Sequence, residues 1–487
     1  MMLTVEEVAQ HNTRDSCWVI IRGYVYDVTD FLSEHPGGTA VILRFAGQDA
    51  TVEYDLIHPP RMVENELPPE KHLGPVAKSC NLSPKCLAPA KMEPSMESTA
   101  DEGPPLSQMI GLNDFEAAAK YKLTGRAWVY YSSSAESMRT YTNNLADWSK
   151  VTFRPRVLRD VRKVDTHRTI LGQYSNLPIF IAPCALGRLG HPEGEHCLVR
   201  GAARFNIPYA VSMGSSTNPE DLIQTWAKEN KRGSLMFQLY VKKDFNEVRA
   251  TVQRARSLGF KALMVTVDTP VVGKREEDDK FKAKQGLPSP VAPQHAETIS
   301  RGPYSSSFNW NDLGWIAKEW GNNGPLCLKG LTTAEDVKAA ADLGFTSLYI
   351  SNHGGRQLDG APSGLHVLME IRRFYPDILQ SCEVLLDGGV RRGTDVLKAL
   401  ALGASAVGLG RPFMYALSTH GTDGVCRALD ILTDEIKTNM RLLGVTRLEQ
   451  LNGDIVNTRL LEQELVTSLN EQETASVSAV GRPRACI

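Results

Sequence analysis

Eight short apolar runs recur between residues 178 and 411: PIFIAP, YAVSMG, LMFQLY, ALMVTVD, LCLKG, SLYISNH, EVLLDGG and AVGLGR. A helix-compatible stretch follows each run. Buried strands alternating with crossover helices read as an α/β fold, a closed parallel (β/α)8 TIM barrel. Such barrels place their chemistry where the strands end. Nearly every run here ends in a polar or glycine residue. The pattern therefore predicts that Ser212, Gln238, Tyr240, Thr266, Asp268, Lys329, His353, Asp387, Gly389 and Arg411 converge on one mouth.

The barrel uses only part of the chain. At 487 residues the sequence is too long for one ordinary core, and two or three domains are expected. No apolar run approaches the ~20 residues needed to cross a bilayer. The first residues, MMLTVEEVAQ, match neither a secretory signal nor an Arg-rich transit peptide, which makes the cytosol the expected compartment. Nine cysteines, an odd number with no CxxC pair, point to free thiols rather than zinc or disulfides. The nearest two, Cys80 and Cys86, lie in a Pro-rich stretch. Net charge is −2 but unevenly spread: residues 1–74 hold 12 acidic and 5 basic side chains, so they carry 5 − 12 = −7 and the remainder +5. That acidic excess reads either as a solvated surface or as a face that attracts a basic partner. Nothing suggests nucleic acid binding.

Composition marks the boundaries. Residues 1–74 form a first unit. Residues 75–105, rich in Pro, Ser and Ala, read as a linker. A second unit runs over 106–470, and 471–487 form a tail. The charged, Pro-containing stretch 274–308 between the fourth and fifth runs reads as a mobile lid or a disordered segment.

In the first unit, FLSEHPGG places His35 before Pro36-Gly37-Gly38, and His58 lies 23 positions on. Either histidine alone would be an ordinary loop residue. Facing one another as neutral imidazoles, the pair could fill both axial positions of an iron porphyrin. With Ala46-Gly47-x-Asp49-Ala50-Thr51 between them, the unit resembles the cytochrome b5 family over nearly its whole length. The resemblance implies an α+β domain holding heme b on His35 and His58. It would carry single electrons, since both axial sites are taken.

The barrel lacks a G-x-G-x-x-G after any strand, so a Rossmann nicotinamide site is not expected. Phosphate candidates are DGGVRRG (387–393) and GLGRP (408–412), where glycine amides, a following helix start and arginines come together. Gln238, Thr266 and Ser212 are candidates for hydrogen bonds to a flavin ring edge. Lys329, inside an apolar strand, needs either an anionic ligand or a buried carboxylate. SNHGGRQLDG (351–360) supplies His353 as a candidate base with Asp268 as its carboxylate partner. Arg356 offers a planar fork for a carboxylate. Tyr240 and Tyr130 add hydroxyls.

Residues 106–470 resemble the FMN-dependent 2-hydroxy-acid dehydrogenase/oxidase family. RAWVYYSSSAES, WSKVTFRPRVLRDV, VTVDTPVVGKRE, LCLKGLTTAEDV, SNHGGRQLDG and DGGVRRGTDVLKALALGASAVGLGRPF carry the likeness. Behind a b5-type domain, the whole chain is similar to the flavocytochrome b2 family. The resemblance implies His353 as base, Asp268 as its partner and Arg275 as a second cation near the reacting centre. It places the substrate carboxylate on Arg356 and Tyr130 and the substrate hydroxyl on Tyr240. It puts FMN on Ala182, Pro183, Cys184, Ala185, Ser212, Gln238, Thr266, Lys329, Asp387, Gly388, Gly389, Val390, Arg391, Gly410 and Arg411. The implied reaction takes an (S)-2-hydroxy acid, L-lactate or a larger one such as mandelate, to the 2-oxo acid. Electrons then pass through heme b to a cytochrome c. The resemblance also implies a homotetramer and, as an alternative compartment, the mitochondrial intermembrane space. An oxygen-using oxidase with a non-essential heme domain, and a heme electron carrier without catalysis, remain alternatives.

Two departures from the family pattern stand out. Ser134 follows Tyr130-Tyr131-Ser132-Ser133 where the family has glycine. Gly214 stands where lactate and glycolate enzymes of the family place a bulky side chain over the substrate. Glycine there opens room for a larger substituent, and filling apolar space with a ring is worth a few kcal/mol (~2).

Overall fold

The computed structural model describes residues 3–35, 39–59, 61–77, 103–285 and 302–469. Most of the expected linker, the tail from 470 onward and residues 286–301 of the expected lid lie outside them, as do Pro36–Gly38, Cys80 and Cys86. The chain divides into two compact units, one within residues 1–105 joined by 282–291, the other 106–281 with 292–487. No described helix is long and apolar enough to cross a membrane. The six described cysteines are free thiols.

The first unit is a four-stranded antiparallel sheet of Asn12–Thr13, Ser16–Ile21, Tyr24–Asp27 and His72–Pro75. Side chains alternate across a strand. Cys17, Val19 and Ile21 therefore point to one core with Tyr26, Leu32, Ala46 and Val63, while Ile20 and Val25 face Val8 on the other side. Short helices Thr39–Leu43, Thr51–Ile57 and Met62–Glu66 cover the first face. Backbone pairing continues through Val76 (N–H to the Gly23 carbonyl) and Ala77 (N–H to the Leu3 carbonyl). Ordered pairing thus runs three residues past the expected edge at 74.

In the second unit the eight apolar runs form the strands of a closed parallel barrel. They are β1 (Ile179–Ile181), β2 (Pro208–Ser212), β3 (Ser234–Tyr240), β4 (Leu263–Thr266), β5 (Leu326–Leu331), β6 (Ser347–Ile350), β7 (Glu383–Leu386) and β8 (Ala406–Leu409). Outer helices are α1 (Glu195–Phe205), α2 (Pro219–Lys228), α3 (Phe245–Ser257), α4 (Leu313–Trp320), α5 (Ala334–Asp342), α6 (Gly364–Phe374), α7 (Gly393–Ala401) and α8 (Arg411–Leu443). Asp244, Thr333 and Ser363 accept from first-turn amides and start α3, α5 and α6. Large and small side chains share the barrel interior: Phe180, Met236, Met264 and Tyr349 with Ala210, Ala262 and Ala406. Ile170 and Leu171, from the hairpin Arg168–Ile170/Gln173–Ser175, join this cluster.

Register levels the strand ends. Gln238 pairs with Ser212, Tyr240 with Thr266, Thr266 with Lys329, and Lys329 with Tyr349. The one shift falls between Lys329 and Leu331. Gly330 has φ +107 there, and a Cβ on it would stand 2.6 Å from the Asp268 carboxyl carbon. Glycine at this bulge is what lets Asp268 sit against the sheet.

Candidate active site and heme pocket

A linear hydrogen-bond chain crosses the barrel mouth. His353 Nδ1 lies 3.0 and 3.1 Å from the two Asp268 carboxylate oxygens, and Nε2 lies 3.1 Å from the Tyr240 hydroxyl. The carboxylate fixes the tautomer: Nδ1 carries the proton and Nε2 is left as the lone-pair nitrogen. Burial works to raise the Asp268 carboxyl, but His353 and Lys329 outweigh it and hold it at about 2. His353 is held below the ordinary histidine value, first by burial and then by Lys329 and Arg275, against the pull of Asp268. An ionised partner beside a neutral imidazole is the arrangement a general base needs. His353 also has φ +59, unusual for a non-glycine residue and tolerated where the surroundings over-determine it.

Facing this chain is a cluster of half-buried cations. Arg356 Nη1 donates to the carbonyls of Tyr130 (2.8 Å) and Ser133 (3.1 Å), and its guanidinium lies 5.1 Å from the Tyr130 ring centre. Arg411 donates to the carbonyls of Tyr131, Gly354 and Ser133, each at 2.9 Å. Helix Gly125–Ser132 thus ends on two arginines, cation against the negative end of its dipole. Burial, with Arg275 and Arg411 nearby, pushes Arg356 down to about 9, so it remains charged at neutral pH. Arg275 Nε is buried without a partner. So much desolvated positive charge calls for anionic ligands.

The remaining wall fits a flavin mononucleotide. Lys329 is 3% exposed, its hydrogen bond goes to Ser351 Oγ at 3.4 Å, and no carboxylate among the described residues lies within ion-pair distance. The buried Lys–carboxylate alternative is therefore absent. Asp387 accepts from the Tyr349 hydroxyl through Oδ2 at 2.8 Å, while its Oδ1 is buried without a donor, as a polyhydroxyl chain would require. The amides of Gly388, Gly389, Val390 and Gly410 meet no acceptor among the described residues. Gly389 (φ +74) approaches Asn144 so closely that a Cβ would lie 1.7 Å from its carbonyl oxygen. One expectation is corrected: the start of α7 is not open to phosphate. Asp395 accepts from the amides of Arg391 and Arg392, and Glu435 from that of Gly393. The donors left open beside it are the amides of Gly388, Gly389, Val390 and Gly410, with the Arg391 and Arg411 side chains in the same cavity.

Tyr130, Ala182–Ala185, Ser212, Tyr240, Arg275, Lys329, His353, Arg356, Asp387–Arg391, Gly410 and Arg411 line one cavity. Gln238 and Thr266 stand one layer back: Ser212 Oγ donates to Gln238 Oε1 (3.0 Å), and Gln238 Nε2 donates to Thr266 Oγ1 (2.8 Å). Gly214 is outside the wall, its amide on Ser212 Oγ at 3.1 Å. Sequence reasoning missed Tyr131, Gly354 and Met414 in the wall, and Tyr141, whose ring lies 4.7 Å beneath the Arg411 guanidinium. It also missed the reciprocal amide pair of Asn144 and Asn352 at 2.8 Å and Tyr304, whose ring lies 4.7 Å from that of Tyr240. Asn352 was the findable one, adjacent to His353 at a strand end.

In the first unit the rings of His35 and His58 are 5.9 Å apart, centre to centre. Two imidazoles sharing one iron, each nitrogen about 2 Å from the metal, have ring centres on the order of 6 Å apart. Phe31 and Tyr54 flank them at 5.9 and 4.7 Å, over an apolar floor that includes Leu32 and Ala46. The pair fits a heme iron held from both sides.

Barrel and small domain thus define an oxidoreductase that joins a flavin site to a bis-histidine heme site in one chain. Residues 119–458 match the FMN-dependent dehydrogenase family and residues 4–77 the cytochrome b5-like heme/steroid binding domain. The L-lactate dehydrogenase (cytochrome) of Saccharomyces cerevisiae is 40% identical over 96% of this chain and 81% of its own. A point mutant of flavocytochrome b2 with benzoylformate has a TM-score of 0.69 at 38% identity, covering 77% of this chain and 93% of the other. Mandelate oxidase with benzoyl-formic acid has a TM-score of 0.62 at 34% identity, covering 72% and 98%. The chain belongs to the FMN-dependent dehydrogenase family, in the branch that carries a cytochrome b5-like heme domain.

Proposed function

We propose that this protein oxidises an (S)-2-hydroxy acid to the 2-oxo acid and passes the electrons singly to a cytochrome c. One observation carries the reading: the Asp268–His353–Tyr240 chain faces Arg356 within the cavity that also holds Lys329 and the open glycine amides. Bound FMN supplies the two-electron acceptor, and bound heme supplies a one-electron relay to the external carrier.

Arg356 and Tyr130 hold the substrate carboxylate, and the Tyr240 hydroxyl bonds the substrate hydroxyl. His353 Nε2 takes a proton, from the α-carbon in a carbanion route or from the hydroxyl in a hydride route. Asp268 stabilises the imidazolium that results. Arg275 balances negative charge at the reacting centre. Lys329 meets the anionic ring edge of the flavin, with Ser212, Gln238 and Thr266 as its polar neighbours. The backbone of Ala182–Ala185 would lie along the flavin, and Asp387–Arg391 with Gly410 and Arg411 would hold its ribityl phosphate.

The proposed substrate is larger than lactate, with mandelate the first candidate. Gly214 places no side chain toward the cavity and stands behind Ala185, which lines the wall. The two similar structures containing benzoylformate, the oxidation product of mandelate, support a ring in this place. The acidic heme unit suits a basic acceptor such as cytochrome c, which favours the intermembrane space over the cytosol. A homotetramer is part of this reading. Anaerobic flavin bleaching with lactate, mandelate and 2-hydroxy-4-methylpentanoate tests the substrate, and His353→Gln should abolish bleaching with both cofactors retained. Normal bleaching by that variant removes His353 from the base role. Peroxide output undiminished in His58→Ala, with no cytochrome c reduction in the wild type, would favour an oxygen-using oxidase.

A further inference from the structure

One buried charge of the barrel takes no part in substrate binding or proton transfer. Glu195, the first residue of α1, is fully buried, and four neutral donors hold its carboxylate. Oε1 accepts from the amides of Gly187 (2.8 Å) and Ser216 (2.9 Å). Oε2 accepts from the hydroxyls of Ser216 (2.7 Å) and Thr217 (3.0 Å). Ser216 and Thr217 are themselves fully buried. An ionised carboxylate shut away from water is costly unless donors occupy its oxygens, and bonds to an ionised acceptor are stronger than neutral ones.

Those donors come from two loops. Gly187 lies between β1 and α1, Ser216 and Thr217 between β2 and α2, so Glu195 ties the first loop to the second. The tie falls just after Ala182–Ala185, which line the cavity. Between them stands Leu186, in the left-handed region at φ +61. A bulky residue is strained there and stays only where its surroundings hold it. The Leu186 amide donates to the Gly214 carbonyl (3.2 Å), and its carbonyl accepts from the Tyr131 hydroxyl (2.7 Å). The next residue, Gly187, is bound to Glu195 so closely that a Cβ on it would stand 2.9 Å from the carboxyl carbon. Ser216 Oγ extends the tie by accepting from the Arg188 amide (2.9 Å). Burial and the charge of Glu195 push the Tyr131 phenol well above its ordinary value, which keeps it protonated as the donor to Leu186.

We propose that Glu195 is a positioning residue for the flavin: by tying Gly187 to Ser216 and Thr217 it holds the strained Leu186 turn, and the turn fixes Ala182–Ala185 in the shape that receives the cofactor. This rests on the flavin reading of the cavity and adds to it a residue outside the wall. Glu195 is not among the residues that line the cavity, so it acts on the flavin through the loop. Glutamine in its place keeps the shape but turns a donor, Nε2, toward the two hydroxyls that donate to Oε2. Thr217→Val removes one bond of the tie at nearly constant shape.

The test strips FMN from the full-length, heme-loaded protein and titrates it back, in the wild type, Glu195→Gln and Thr217→Val. Quenching of flavin fluorescence reads the Kd, visible circular dichroism of the bound flavin reads its surroundings, and the thermal midpoint reports the barrel itself. The expected Kd for FMN is about tenfold higher in Glu195→Gln, which is ~1.4 kcal/mol, and about threefold higher in Thr217→Val. The flavin dichroism should change in both. A lower thermal midpoint with Kd and dichroism at wild-type values in both variants makes Glu195 a stabiliser of the fold alone and overturns the proposal, with the dehydrogenase reading intact. Where Glu195→Gln does not fold, Thr217→Val decides, and wild-type Kd and dichroism there overturn the proposal. A wild-type protein that takes up no FMN ends the flavin reading itself, and this inference with it.

Discussion

Asp268→Asn isolates the electrostatic part of the proposed mechanism with almost no change in shape. In the wild type the imidazole proton at Nδ1 lies 3.0 and 3.1 Å from two carboxylate oxygens, and the charge centres are about 4 Å apart. At an effective dielectric of about 20, an ion pair at that separation is worth ~4 kcal/mol. The imidazolium exists only after proton transfer, so this energy acts on the transition state and not on the bound substrate. An asparagine oxygen still accepts from Nδ1, and a neutral acceptor keeps about half the strength of a charged one. The net loss is then ~2 kcal/mol, or roughly 30-fold in the rate of flavin reduction. Substrate affinity, which the proposed mechanism rests on Arg356 and Tyr130, should move little. Anaerobic stopped-flow reduction at saturating substrate reads the rate directly, and its concentration dependence reads the affinity. A loss below tenfold, or a loss confined to affinity, would falsify the role given to Asp268.

Four further outcomes follow from the same geometry. His353 is held below 6.5, so kcat/KM should rise through a pKa below that value and then level off. The same histidine destabilises the fold as pH drops through 6.5, because the unfolded chain binds the proton first, and thermal unfolding from pH 8 to pH 5 reads this. Lys329→Met should make the two-electron potential of the bound flavin more negative by about 30–60 mV, and an unchanged potential contradicts the ring-edge contact. His58→Ala should leave flavin reduction at its wild-type rate and cut cytochrome c reduction at least about 100-fold; cytochrome c reduction that survives would dismiss the relay.

The barrel was legible because a parallel strand buried on both faces is written as a short unbroken apolar run, and eight such runs are hard to produce otherwise. The site was legible for a related reason. A run that ends in Lys329, or in Asn352-His353, puts a polar group where the strand leaves its buried layer, and only a few uses justify such a group. What sequence could not give was depth. Ser212 and Thr266 end their strands and Gln238 lies two residues short of the end of β3, yet only Ser212 reaches the cavity wall while the other two bond one another behind it. Pitch and stagger decide that, and neither is written in a single strand. The anion-binding start expected of α7 failed for a similar reason: Asp395 and Glu435 already fill it, and Glu435 comes from 42 residues further along.

The residues that stayed hidden share a physical character. Tyr141 and Asn144 come from the helix Arg139–Lys150, ahead of the barrel in sequence, and Tyr304 from beyond the long connection. None ends a strand, so no periodicity marks them. Each acts by holding something else: Tyr141 supports the Arg411 guanidinium, Asn144 fixes Asn352 beside the base, and Tyr304 backs Tyr240. Chemistry that must ionise or bind an anion needs a particular charged residue type and leaves a mark in the sequence. Support can be supplied by any side chain of suitable shape from any part of the chain. The cations of this cavity were therefore readable from one strand end at a time, whereas the orientation that makes them selective is a property of the assembled fold.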